Sequence, residues 1–316
     1  MPNFRIEGPV FPIPPDYTDD GEDLELSTTE LYLKYLFECG AKYIMTTAGT
    51  SQYNLLSRDE IRRFNMSLVK SEFEQIILGI QQLSTEHLLE EIGYYNDSLS
   101  STDKDIVLMV LYPERYYDDD SIISFYKEIS DKSSFPIYIH CMPMRRANGG
   151  TYEYTSEIVN RINEETSGVV CGLKEESSSF DKGYEFVKDI NTENVNVIVA
   201  GKSQRRYLSL YPAGAQSFLS GVGSFIPSVD ISFYELYVNS PINEKRHLGI
   251  LKLEDYLFDN FMKIGWHVAM RQTLKLMEMT CKNNRRPFSN ITEEHKEVIE
   301  QTIAMMMVKI KETLGE

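Results

Sequence analysis

Lys174 closes the apolar run Gly168-Val169-Val170-Cys171-Gly172-Leu173, small and β-branched residues that read as a buried strand ending in an amine. A lysine at the C-terminal end of a parallel barrel strand is positioned to act as a Schiff-base nucleophile. Other reactive side chains end strands in the same way. His140 closes Ile137-Tyr138-Ile139, with Arg145 just beyond it, and Gly49, Thr50 and Ser51 follow the strand Lys42-Tyr43-Ile44-Met45-Thr46-Thr47. An amine, an imidazole, two hydroxyls and a fixed cation together suit chemistry on a 2-oxo acid.

Eight strands are needed to bring these groups to one mouth, and the chain alternates accordingly. The strands are read at Pro9–Ile13, 42–47, 76–80, 106–111, 136–142, 169–173, 197–200 and 217–221, with helical patterns between them. The spacing Ser27-Thr28-Thr29-Glu30 predicts a capping box before the helix that Gly40 stops, and Ser57 to Glu60 repeats the signal. The expected fold is α/β, a (β/α)8 barrel over residues 1–226. A helical extension over 227–316 packs on it, with methionines such as Met305, Met306 and Met307 for packing or a subunit interface.

Composition narrows the function. With 42% hydrophobic residues the chain can fill a core, and 48 acidic against 32 basic residues give a net charge of -16. That balance argues against nucleic acid and anionic membranes as partners. Four scattered cysteines, no apolar leader and no run of membrane-spanning length point to a cytoplasmic protein with reduced thiols. Gly201-Lys202-Ser203 is not a phosphate loop, because position 196 is Asn196 rather than glycine. The remaining histidines, His87, His247, His267 and His295, lack metal-binding spacing, and Asp118-Asp119-Asp120 reads as a solvated helix start. Neither a metal nor a cofactor is expected.

Taken in order, these segments resemble the dihydrodipicolinate synthase and N-acetylneuraminate lyase family of class I aldolases. Ala48-Gly49-Thr50-Ser51 is similar to the family's G-T-T-G-E loop, Ile137 to Pro143 to its Y-N-x-P motif, and Gly172-Leu173-Lys174-Glu175 to its G-[IL]-K-[DE] Schiff-base motif. Gly214 to Gly221, which contains Leu219, resembles its last strand, and Arg286-Pro287 its ending. The resemblance implies a divergent member with Lys174 as the imine-forming residue. It also implies that Gly49, Thr50, Ser51, Arg145 and Leu219 lie on the substrate side, with Arg145 receiving a carboxylate, and that the molecule is a homo-oligomer, dimer or tetramer. This chain departs from the pattern at three points. His140 replaces the strand-five tyrosine, with Tyr138 deeper on the same face; Gln52 and Tyr53 replace the glycine and glutamate; and Pro113 and Glu114 fall where a P-Y-Y context is expected, leaving Tyr112, Tyr116 or Tyr117 to substitute. Three readings stay open: a pyruvate-type synthase-like aldolase, a lyase for a sugar-derived 2-oxo acid of N-acetylneuraminate or 2-keto-3-deoxygluconate type with Gln52 and Tyr53 reading hydroxyls, and an inactive ligand-binding barrel.

Overall fold

A computed structural model describes residues 4–81, 84–111, 115–116, 118–141, 144–146, 151–239, 244–288 and 291–314, with side chains throughout except at 115–116, 144–146, 151–152, 239, 244–247 and 314. Its strands are β1 (Gly8–Pro12), β2 (Tyr43–Met45), β3 (Gln75–Ile80), β4 (Asp105–Val110), β5 (Arg115–Tyr116), β6 (Ile137–Cys141), β7 (Met144–Arg146), β8 (Thr151–Tyr152), β9 (Val170–Glu175), β10 (Asn196–Val199) and β11 (Ser217–Leu219). Eight of these, in the order β1-β11-β10-β9-β6-β4-β3-β2, form a closed parallel barrel. Helices α1 (Leu26–Glu38), α2 (Arg58–Val69), α3 (Thr85–Ser98), α4 (Asp119–Ser130), α5 (Ser156–Glu165), α6 (Phe180–Val187) and α7 (Ser203–Leu210) alternate with them. After β11 come α8 (Pro227–Asn239), α9 (Glu244–Ile264), α10 (Trp266–Leu276) and α11 (Glu293–Leu314).

The chain divides into two compact units, Met1–Gly8 with Glu74–Leu219 and Pro9–Phe73 with Ser220–Glu316. In the first, β3, β4, β6 and β9 are buried along almost their whole length, as the near-continuous apolar runs require of strands covered on both faces. Asp118 caps α4 by accepting the Ser121 N–H at 2.7 Å, with Asp119 and Asp120 exposed in its first turn. A second sheet, β5-β7-β8, has no counterpart among the strands read from sequence. Strands of two or three residues carry too little pattern to show a period.

The second unit holds β2, most of β1 and the C-terminal helices. The Ser57–Glu60 capping box forms as predicted. The one predicted at Ser27 does not: α1 starts two residues earlier, with Glu25 as its cap. The Glu25 carboxylate accepts both the backbone N–H of Ser27, at 3.1 Å, and its hydroxyl, at 2.6 Å, so Ser27 serves as a donor. Buried Arg271 donates to the Pro15 carbonyl at 2.6 Å, and Arg285 ties Gly21, Leu55 and Glu60 together while its guanidinium lies 4.6 Å from the Tyr17 ring centre.

Candidate active site

Parallel pairing of β6 with β9 sets Tyr138 opposite Gly172 and His140 opposite Lys174. Side chains two residues apart share a face, so each strand presents an aromatic or small residue below and a reactive one above. The lower level is closed. A Cβ at Gly172 would overlap the Tyr138 ring, and the Tyr138 hydroxyl donates to Asn196 Oδ1 at 2.8 Å. Tyr138 is thereby committed to packing beneath the reactive level.

At the upper level Lys174 and His140 are both buried, and Lys174 Nζ stands 3.0 Å from His140 Nε2. A third group meets them. Glu176 Oε2 accepts from Lys174 Nζ at 2.6 Å and lies 2.9 Å from His140 Nε2, so three polar atoms form a triangle. The Glu176 side chain keeps 38% of its surface exposed, and it is the edge of the triangle that solvent reaches.

Burial pushes the His140 imidazole down, the neighbouring Lys174 ammonium adds to this, and the Glu176 carboxylate offsets part of it, leaving a pKa of about 4. The ring is therefore neutral near pH 7. Burial alone would raise Glu176, but the Lys174 charge and the His140 contact prevail and hold its carboxyl well below the ordinary carboxylate range. An amine beside a neutral base and a fixed anion can exchange protons without involving solvent.

Sequence reasoning missed Glu176 because the motif stops at Glu175. The signal lay in the pleat: residues 174 and 176 face one way and 175 the other. Glu175, fully buried, turns outward to α7, where Arg206 Nη1 binds its two oxygens at 3.1 and 2.8 Å and Arg206 Nη2 donates to the Ser177 carbonyl at 2.9 Å. Gly183 of α6 makes room for it, since a Cβ there would stand 3.1 Å from Glu175 Oε1. The Glu176 N–H continues the ladder by donating to the Cys141 carbonyl at 3.0 Å. Burial raises the Cys141 thiol well above its ordinary pKa, which keeps it protonated.

The loop carrying Gly49, Thr50 and Ser51 belongs to the second unit. Ser51 Oγ accepts the Thr47 N–H at 3.0 Å and donates to the Ile13 carbonyl at 2.7 Å, so this hydroxyl holds the loop closed. Thr50 is buried; Gly49 is exposed, and a Cβ there would stand 2.9 Å from His267 Nε2, so that the imidazole would have to shift. The Gln52 and Tyr53 side chains turn into the unit's own core. Gln52 Oε1 accepts from the Tyr17 hydroxyl at 2.9 Å, and the Tyr53 hydroxyl lies 2.8 Å from both Thr46 Oγ1 and Asn65 Oδ1. Leu219 ends β11, half-buried. Arg145 lies on β7, paired with Arg115, and its backbone alone is described. Pro143, Pro113, Glu114, Tyr112 and Tyr117 lie outside the described residues, and of Tyr116 only the backbone is described.

Closed parallel strands with reactive groups at their C-terminal ends define a (β/α)8-barrel enzyme. More narrowly, the chain belongs to the dihydrodipicolinate synthetase family, whose model matches residues 108–306 and whose members are lyases and aldolases. A 4-hydroxy-tetrahydrodipicolinate synthase of Caldicellulosiruptor bescii is 20% identical over 296 residues, 93% of this chain and 95% of that protein. The structure of the synthase of the same name from Methylacidiphilum fumariolicum superposes with a TM-score of 0.82 at 17% identity, covering 98% of this chain and 99% of the other. A Sulfolobus solfataricus 2-keto-3-deoxygluconate aldolase superposes with a TM-score of 0.78 at 14% identity, covering 96% and 98%. These structural likenesses establish the shared fold. No helix among the described residues is long and apolar enough to cross a membrane.

Proposed function

We propose that the protein is a Schiff-base lyase or aldolase for a 2-oxo acid such as pyruvate, with Lys174 as nucleophile and His140 as the acid–base group. The observation that carries this reading is the buried Lys174 amine, 3.0 Å from an imidazole that burial keeps neutral near pH 7. Lys174 passes a proton to His140 and attacks the carbonyl carbon. The carbonyl oxygen gains protons and leaves as water, and a protonated imine remains. The imine draws electrons from the neighbouring carbon, which loses a proton to His140 and becomes an enamine able to add to an aldehyde. The same steps in reverse cleave a carbon–carbon bond.

In this reading, as the family resemblance implies, Arg145 receives the substrate carboxylate and Leu219 borders the substrate. Ser51 shapes the loop. Similarity to 4-hydroxy-tetrahydrodipicolinate synthases supports a synthase-like reaction. A sugar-derived 2-oxo acid is the second reading, favoured by the likeness to 2-keto-3-deoxygluconate aldolase and by a Glu176 carboxylate able to accept hydrogen bonds from hydroxyls. Gln52 and Tyr53, turned into their own core, lend it no support. An amine, a neutral base and a carboxylate in mutual contact argue against an inactive barrel. The four unpaired cysteines suit the cytoplasm. Leu248, Met262, Met305 and Val308, all substantially exposed on α9 and α11, suit a homo-oligomer interface.

The test is borohydride reduction with pyruvate, read by intact mass. The parent gains a pyruvyl-sized adduct and Lys174→Ala gains none. A parent left unmodified by pyruvate and by a panel of sugar-derived 2-oxo acids would overturn the proposal.

A further inference from the structure

We infer that Glu176 is a third catalytic residue, the fixed counter-ion that keeps one shareable proton within the Lys174–His140 pair throughout imine chemistry. The inference rests on the Lys174 reading above and assigns a role to a residue beyond the motif that carries it. Its basis is the geometry: one carboxylate oxygen, Oε2, touches both Lys174 Nζ at 2.6 Å and His140 Nε2 at 2.9 Å. Among the described residues, Lys174 on β9 and His140 on β6 are the titratable groups that face it, since Glu175 is engaged outward with Arg206. Ladder pairing of the Glu176 N–H to Cys141 fixes the carboxylate over both strands.

The chemistry explains why a carboxylate belongs there. An ammonium and a carbonyl become a protonated imine and one water, so one positive charge enters the sequence and one remains. That charge sits on Nζ in the free enzyme, on the imidazole while the amine attacks, on Nζ again in the imine, and on the imidazole once more when the enamine forms. Every one of these positions lies next to Glu176 Oε2. With two protons the pair has no base, and with none it has no acid to release the hydroxyl as water. The carboxylate opposes loss of the last proton and so sets the pH range in which the pair holds one.

The prediction concerns the pH profile more than the rate. The neutral variant Glu176→Gln should move the alkaline limb of the imine-trapping profile to lower pH by about 1–3 units. Glu176→Asp, which keeps the charge on a shorter arm, should shift the profile in the same direction by less. Rates of borohydride-trapped adduct with pyruvate are measured from pH 5 to 10 for the parent, Glu176→Gln, Glu176→Asp and Lys174→Ala, with circular dichroism as the fold control. A residue that only packs would lower the yield and leave the midpoints in place. Parent-like midpoints in the folded Gln variant overturn the inference alone, as would parent-like midpoints in the Asp variant should Gln not fold. Absence of any adduct on the parent removes the Lys174 reading beneath it.

Discussion

His140 shows how one side chain can matter to both reactivity and stability. Its ring is neutral when folded, with a pKa lowered from 6.5 to about 4, whereas in the unfolded chain it takes up a proton near 6.5. Between those values the unfolded state binds more protons, so stability falls as the pH drops from about 6.5 towards about 4. Glu176 acts in the same direction. Its depressed pKa contributes stability that is complete above the ordinary carboxylate range and is lost as the pH falls towards its folded value. The melting temperature of the parent should therefore decline across this window, and His140→Gln should flatten the upper part of the decline. An identical slope in parent and variant would count against the buried, neutral ring. Lys174 and His140 were legible in the sequence because each ends an apolar run. The role of Glu176 was not, because its neighbour Glu175 completes the motif and shares its chemistry.

Among the elements, β9 carries the most. Its outward face is locked to α7 by the Glu175–Arg206 pair, buried on both sides and aided by the Ser177 carbonyl. Removing one partner of such a pair leaves the other charge buried and unpaired, at a cost of about 3–5 kcal/mol. Arg206→Met should lower the melting temperature by several degrees and reduce the trapping rate at Lys174, because the same strand carries both features. Replacing Glu175 by Leu in addition should restore part of the stability. Should Arg206→Met melt like the parent, the pair does not anchor the strand. The barrel strands were visible from sequence as apolar runs bounded by polar turns. The start of α1 was not, since a glutamate two residues before Ser27 captured the hydroxyl that the capping-box spacing reserved for Glu30. The β5-β7-β8 sheet was invisible for want of length.

For the whole molecule, the exposed apolar side chains of α9 and α11 make a prediction about assembly. Met306 is buried, while Met305, Met307 and Val308 around it are 47, 41 and 52% exposed, so the methionine run serves packing on one side and faces outward on the other. Light scattering after size exclusion should give a mass that is a multiple of the 36.5 kDa chain. Met305→Glu with Val308→Glu should shift that mass towards a single chain. A parent that runs as one chain at micromolar concentration would refute the proposed homo-oligomer.

The opposite orientations of Glu175 and Glu176 bear on how this chain can be read beside its relatives. In an alignment the two glutamates are interchangeable letters, and a gap moved by one place costs a scoring scheme almost nothing. In the strand it exchanges an anchor for a reactive group. Substitution tables rate either position as tolerant of glutamine. The pleat makes one such change a matter of melting temperature and the other, on the role inferred for Glu176, a matter of which pH the site works at.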